Sequence, residues 1–346
     1  MVQYVGISQM RRIVEQVGIE TILRRMVDEL EGDYRRWPAF ECEPRLASHS
    51  KGGVIELMPT SDGEQYSFKY VNGHPENWRK GLQTVVALGL LSDVETGYPL
   101  FLSEMTILTA LRTAAMSALA AKHLARPGSR RMALVGLGCQ SEFQAMAFAA
   151  VLGVTDLSIY DIDPAATAKF VANMRGRGFS IEQAADAGSA VLGADIITTV
   201  TADKAHATIL SGNMVGGGVH LNAVGGDCPG KTELQREIVA GANVFVELTE
   251  QTRIEGEIQQ MPADFPVTEL WEVIAGRKPG RGSAEEVTLF DSVGVAIEDF
   301  SALRLLRKLA QETGHHDELD LLPDPADPRD LFGVLALERA PLAAVA

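Results

Sequence analysis

The sequence predicts an α/β protein in which a Rossmann-type dinucleotide-binding domain is joined to an α+β domain. Three observations predict it. Short runs rich in β-branched and aromatic residues crowd the first third of the chain, an Ala/Leu-rich helical segment follows, and beyond residue 131 apolar runs alternate with helical stretches after a glycine turn. The first pattern reads as antiparallel sheet, and the last as a βαβ series and so a parallel sheet.

In chain order, VIELMP (54–59), YSFKYVNG (66–73), the run 84–91 and PLFLSE (99–104) are the expected strands of the first domain, separated by turn clusters at 61–63 and 93–97. The segment 106–126 has helical spacing and stops at Pro127-Gly128, a strong helix-end signal, so it is expected to link the domains. Then come the strand MALVG (132–136), a helix over 142–152 and the strand LSIYD (157–161). Apolar runs at 196–200, 219–224, 244–248 and 287–290 supply further strands. The tail 313–346, with Pro323, Pro325 and Pro328, is a poor core former and is expected along the surface or across a subunit interface.

Composition narrows the function. The 346 residues carry 31 Lys+Arg against 46 Asp+Glu, a formal net charge of −15, which argues against nucleic-acid binding and against an anionic membrane surface. Arg112, Lys122 and His123 interrupt the longest apolar helical stretch, so it is not expected to span a bilayer. The N-terminal MVQYVGISQM has no basic stretch followed by an apolar one, so a cytoplasmic protein is expected. Cys42, Cys139 and Cys228 are too scattered for a disulfide framework or a zinc site, and they suit a reducing compartment; no metal is expected.

The turn after MALVG reads Gly136-x-Gly138-x-x-Ser141, close to the dinucleotide fingerprint, and Asp161 ends the next strand about 25 residues on, where an acid meets ribose hydroxyls. Gly136 permits the tight turn, Gly138 lets the backbone approach a pyrophosphate, and a small residue at 141 allows helix and strand to pack closely. No arginine follows Asp161 to take a 2′-phosphate, which favours NAD over NADP. Farther on, Asp227 follows a strand and two glycines; it lies where open α/β sheets place ligands, or else caps a helix opened by Pro229. Arg112 within the Ala-rich helix must meet an anion or reach solvent.

These features, with RLASHS (45–50), FKYVNGHP (68–75), DVETGYP (93–99), ALRTAA (110–115), IITTVTADKA (196–205), HLNAVGGDCPGKTEL (220–234), TRIEGEIQQ (252–260) and FDSVG (290–294), mark the chain as similar to the ornithine cyclodeaminase and mu-crystallin family, most closely its bacterial cyclodeaminases. The resemblance implies cyclisation of L-ornithine to L-proline and ammonia, with NAD taking and returning one hydride. It further implies that Arg45, Lys69 and Arg112 bind the substrate carboxylate, that Asp227 is the acid/base and holds the δ-amine, and that Glu56 assists on the amine side. Thr84, Arg112, Thr113, Gly136, Gly138, Cys139, Gln140, Asp161, Thr201, Val224, Gly225, Gly226, Lys231 and Ser292 would hold the cofactor, with Val293 beside the substrate. A homodimer is implied, with residues 1–126 and 305–346 forming the substrate-binding and dimerisation domain around an NAD-binding domain of 127–304. The competing readings are a ketimine reductase, lysine cyclodeaminase or amino-acid dehydrogenase of the same family, and a binding or structural protein like the crystallin branch.

Overall fold

The computed structural model describes residues 1–202, 206–226 and 228–335, with residues 206 and 207 described by backbone alone. The chain opens with a strand, Val2–Val5 (β1), and two helices, Ile7–Val17 (α1) and Ile19–Arg35 (α2), which the strand-rich reading of the first third did not anticipate. Their signal was present: Ile22, Leu23, Met26, Val27 and Leu30 recur at helical spacing and form the buried stripe of α2. Leu46–Ser50 (β2), Gly53–Ser61 (β3), Gln65–Gly73 (β4), Val85–Asp93 (β5) and Pro99–Glu104 (β6) then meander antiparallel; β3 to β6 are the four expected strands, and β2 is an addition to them. β1 adds to β6 in parallel.

Thr106–Leu124 (α3) is buried from Leu111 to Ala121 on every side. It packs against α2 and β5 and also reaches the second sheet, and its run of alanines is what allows close approach from several directions. The second sheet is built from Arg131–Val135 (β7), Asp156–Tyr160 (β8), Ser180–Gln183 (β9) and Ile196–Thr199 (β10), with Ser141–Leu152 (α4), Pro164–Met174 (α5) and Ala187–Val191 (α6) between them. His206–Leu210 (β11) and Thr232–Leu234 (β13) pair as a small separate sheet, flanking His220–Ala223 (β12) in sequence. Arg236–Gly241 (α7), Asn243–Val246 (β14), Thr249–Glu255 (α8), Thr268–Glu269 (β15), Leu270–Ile274 (α9) and Thr288–Asp291 (β16) follow. The order in the second sheet is β15-β14-β16-β12-β10-β7-β8-β9, and its pairings are parallel. β7 lies between β8 and β10, so the chain reverses its direction of travel across the sheet there, the position outside whose carboxyl ends open α/β sheets take their ligands.

Ala296–Thr313 (α10) returns to the first sheet and packs on α2, α3 and β4, and Asp317–Leu319 (β17) pairs antiparallel with β1. The tail therefore contributes an edge strand as well as exposed surface. The expected division at 304/305 falls inside α10, whose buried residues run from Ala296 to Ala310. Among the described residues no helix is long and apolar enough to cross a membrane.

Leu303 seats α10 on the sheet: a Cβ added to Gly89 of β5 would lie 3.1 Å from its Cδ1. Leu303→Ala is expected to cost about 2–5 kcal/mol, read as a lowered urea midpoint by circular dichroism, with the slope of the transition unchanged.

Candidate active site

At the end of β7, Gly136 has φ +96°, and a Cβ there would lie 2.9 Å from Thr201 N and from Val200 at the end of β10. Both its conformation and the approach of the next strand demand glycine. Leu137 N donates to Asp161 Oδ2 at 2.6 Å and Asp163 N donates to Asp161 Oδ1 at 2.8 Å, so Asp161 fastens the end of β8 to the turn. A Cβ on Gly138 would meet no protein atom within 4 Å. Among the described residues, the N–H groups of Gly138, Cys139 and Gln140 have no acceptor, and Gln140 Oε1 is buried without a partner. Cys139 is exposed, while Ser141 is buried where α4 meets the sheet, its hydroxyl donating to Gly138 O at 2.9 Å.

The cations gather under the first sheet. Lys69 on β4 and Glu56 on β3 lie on its inner face, and Arg112 rises from α3; all three are buried. Lys69 Nζ donates to Asp299 Oδ1 at 2.9 Å; Arg112 Nε donates to the same oxygen at 3.0 Å, and its NH1 to Glu298 Oε2 at 2.7 Å. Tyr34 OH donates to the other oxygen of Glu298 at 3.0 Å. Burial, with the neighbouring Arg112 charge, lowers Lys69 to about 8. Arg45 joins from the segment leading into β2: its guanidinium reaches Glu56 and Glu255, each at 3.2 Å, and donates to the carbonyls of Val293 and Gly294. Arg112 lies against the same glycine, since a Cβ on Gly294 would lie 2.6 Å from its NH1. Arg45, Glu56, Lys69, Arg112 and Val293 thus come together around the end of β16.

Glu247, after β14, holds that end in place. It accepts from Ser292 Oγ at 2.7 Å and from the N–H groups of Val293 and Gly294 at 3.2 Å. A second series of buried acids runs toward β10. Asp291 accepts from the N–H groups of Glu257 (2.8 Å) and Ile258 (2.9 Å), and Glu257 accepts from those of Glu233 (2.6 Å) and Leu234 (3.1 Å). Glu233 in turn accepts from Thr201 N at 2.8 Å and from the Thr201 hydroxyl.

Asp227 lies outside the described residues. Before it in the chain, the N–H groups of Val224 and Gly225 donate to Thr199 O at 3.0 and 3.2 Å. Pro229 does not open a helix: residues 228–231 turn directly into β13, because the following segment pairs with β11 and its N–H groups bond to Glu257. Lys231 is buried, and its Nζ donates to Thr201 O at 2.9 Å. Thr113 is buried beside Arg112. Thr84 stands just before β5, its carbonyl accepting from His74 N at 2.8 Å, and no described contact ties it to the Gly136 turn.

Sequence reasoning missed Glu233, Glu247, Glu257, Asp291, Glu298 and Asp299. Glu233, Glu257 and Asp291 stand inside three of the motifs that carried the resemblance, but an acid in a motif does not announce that it accepts backbone N–H groups. Glu298 and Asp299 have no local signal at all.

A model of the ornithine cyclodeaminase/mu-crystallin family matches residues 8–314. The chain is 62% identical over 335 residues to a protein named ornithine cyclodeaminase from Brucella suis biovar 1, an alignment covering 97% of this chain and 94% of that one. Among solved structures it is similar to a lysine cyclodeaminase described as recognising L-lysine, L-ornithine and L-2,4-diaminobutyric acid, with TM-score 0.91, 31% identity, and 96% and 99% of the two chains covered. It is also similar to an archaeal alanine dehydrogenase dimer with bound NAD, with TM-score 0.85, 31% identity and 93% and 99% covered.

Burial, reinforced by the charge of Asp291, pushes the Glu257 carboxyl from 4.5 up to about 8. The folded chain therefore keeps this proton where the unfolded chain has lost it, so the stability it contributes is full at low pH and is lost as pH rises through that interval. Urea unfolding between about pH 5 and about pH 8 is expected to give a falling unfolding free energy, and a shallower fall in Glu257→Gln; an equal slope in the variant would remove Glu257 as its source.

Proposed function

The chain belongs to the ornithine cyclodeaminase/mu-crystallin family, and from that premise we propose that it is an enzyme converting L-ornithine to L-proline and ammonia, with NAD regenerated in every turnover. The observation that carries the reading is the gathering of three cations at one buried point: Arg45 and Arg112 against Gly294, and Lys69 sharing Asp299 with Arg112. Such a cluster suits the carboxylate of an amino acid, because charge-assisted hydrogen bonds in a dry site are strong and directional.

The Gly136 turn fits a dinucleotide. A side chain at Gly138 would fill the space above it, the N–H groups of 138–140 lack protein acceptors among the described residues, and Gln140 Oε1 is buried without a partner. On this reading Gly136, Gly138, Cys139 and Gln140 hold the pyrophosphate and Asp161 the ribose hydroxyls. Thr84, Arg112, Thr113, Thr201, residues 224–226, Lys231 and Ser292 complete the cofactor site, with Val293 beside the substrate. Bound there, NAD supplies a hydride acceptor for the substrate α-carbon and a hydride donor for the ring imine.

The chain's own residues orient and move protons. Arg45, Lys69 and Arg112 fix the carboxylate and with it the α-carbon, and Glu56 attends the amine side. Asp227 takes a proton from the δ-ammonium group, freeing that nitrogen to bond to the α-carbon imine, and returns a proton to the departing ammonia. The reading makes 1–126 with the C-terminal segment the substrate and dimerisation unit around the NAD-binding unit 127–304, in a cytoplasmic homodimer. The outer face of the first sheet supports the dimer: Leu46, Leu57 and Leu88 are exposed and lie in one cross-strand row with Tyr70. L-Lysine is the second substrate to consider, since the similar solved structure is described as recognising both diamines and one methylene changes pocket affinity by only about 1–3 kcal/mol.

Proton NMR of the protein with L-ornithine and substoichiometric NAD⁺ tests the function: proline and ammonia should form well beyond the amount of cofactor. Reduced cofactor accumulating in step with product would make it a dehydrogenase. Asp227→Asn should lose most turnover while NAD binding survives, and near-normal turnover would reject the acid/base role. Arg112→Lys keeps the charge but not the planar fork, so KM for ornithine should rise about tenfold or more; an unchanged KM would leave Arg112 a purely structural partner of Glu298 and Asp299.

A further inference from the structure

Glu233 is buried, and no role follows for it from the reading above. Its carboxyl lies between Thr201, beside the Gly136 turn, and Gly225. Oε1 accepts from the N–H of Thr201 at 2.8 Å and from the Thr201 hydroxyl, and the Thr199 hydroxyl also faces the carboxyl. On one side the carboxyl lies where a side chain on Gly225 would have to go. On the other, Thr201 N is 2.9 Å from where a side chain on Gly136 would start. The line Gly225, Glu233, Thr201, Gly136 therefore connects the segment 224–226 to the dinucleotide turn through packed, bonded atoms. Both glycines are occupied by this line, whatever else they admit.

The line is anchored at its far end. Glu233 N–H donates to Glu257 Oε1 at 2.6 Å, and a Cβ on Gly226 would lie 2.9 Å from that same Glu257 oxygen. Glu257 N–H donates in turn to Asp291 Oδ1, next to the Ser292–Gly294 segment that Arg45 and Arg112 touch. Lys231, just before β13, closes the loop by donating to Thr201 O. Two anchored contacts on Thr201, one through its N–H and one through its carbonyl, leave its backbone little freedom to shift.

We infer that Glu233 is a positioning residue: by bonding Thr201 while packed against Gly225, it sets the spacing between the dinucleotide turn and the segment 224–226 that precedes Asp227. The inference rests on the cyclodeaminase reading for its consequence in turnover. A redox-neutral cyclisation needs the reduced cofactor and the substrate imine to stay aligned while the ring closes, so loose spacing should let reduced cofactor and imine escape before the hydride returns.

The test uses the full-length protein and compares Glu233→Gln with Glu233→Ala. Gln keeps an oxygen for Thr201, so NAD affinity, measured by equilibrium fluorescence quenching, and the ratio of reduced cofactor to proline should stay within about twofold of the native protein. Ala removes the acceptor and leaves a void beside Gly225, so NAD affinity should fall about tenfold or more, and reduced cofactor absorbing in the near ultraviolet should accumulate for each proline formed. A protein that only lost stability would melt earlier while keeping both its affinity and its coupling, and that outcome for Glu233→Ala would overturn the inference. If Glu233→Ala does not fold, Glu233→Met fills the same space without supplying an acceptor for Thr201 and should show the same loss of affinity and coupling; native coupling and affinity there would likewise reject it. The affinity arm does not depend on ornithine: a native protein that binds NAD but makes no proline overturns the cyclodeaminase reading while leaving the spacing role to be decided by the affinity of the Glu233 variants.

Discussion

Burying Lys69 and Arg112 beneath the first sheet obliges the fold to bring anions to them, and the start of α10 does so with Glu298 and Asp299. A buried charge left unpaired costs several kcal/mol, whereas one met by well-placed counter-charges is tolerated. This single demand fixes a great deal. It ties β4 to α3 and both to a helix from the far end of the chain, and Tyr34 of α2 joins through the remaining oxygen of Glu298. It also brings α10 back from the second sheet to cover the first, so residues at the end of β16 and residues of the N-terminal sheet share one site.

The carboxyl edge of the parallel sheet follows a related logic, with backbone N–H groups in place of cations. Asp291, Glu257, Glu233 and Glu247 each accept from main-chain donors of another segment. Loops at the ends of parallel strands have no ladder partners of their own, so buried acids satisfy their N–H groups and fix their geometry together. Burial in turn pushes these carboxyls toward their neutral forms, with Asp291 raised to about 7. On the proposed reading, loops fixed in this way supply the pre-organisation that hydride transfer and ring closure call for.

Much of the fold was legible in the sequence because parallel strands buried on both faces read as plain apolar runs, and because the Gly136 turn and Pro127-Gly128 punctuate them. Helices α1 and α2 were legible in principle, since Ile22, Met26 and Leu30 keep helical spacing, but the strand signals downstream dominated the reading. The position of β16 between β12 and β14 was not legible, because strand order depends on contacts that no local pattern encodes. The site divides the same way. Gly136, Asp161 and the odd charge of Arg112 stand out locally. The partners of Arg112 do not: Glu298 and Asp299 begin an ordinary-looking helix, separated from Arg112 by more than half the chain, and only the folded structure joins them. Pro229 misled because a proline that can start a helix can equally lead into a strand.

The central claim is that one carbon first gives up a hydride and then receives the same one back. L-Ornithine carrying deuterium at the α-carbon tests it most directly, with proline examined by NMR and mass spectrometry. Proline that retains the deuterium at the carbon bearing its carboxylate is the predicted result. Proline formed with that position exchanged for solvent hydrogen, or deuterium collecting in reduced cofactor without proline, would contradict it.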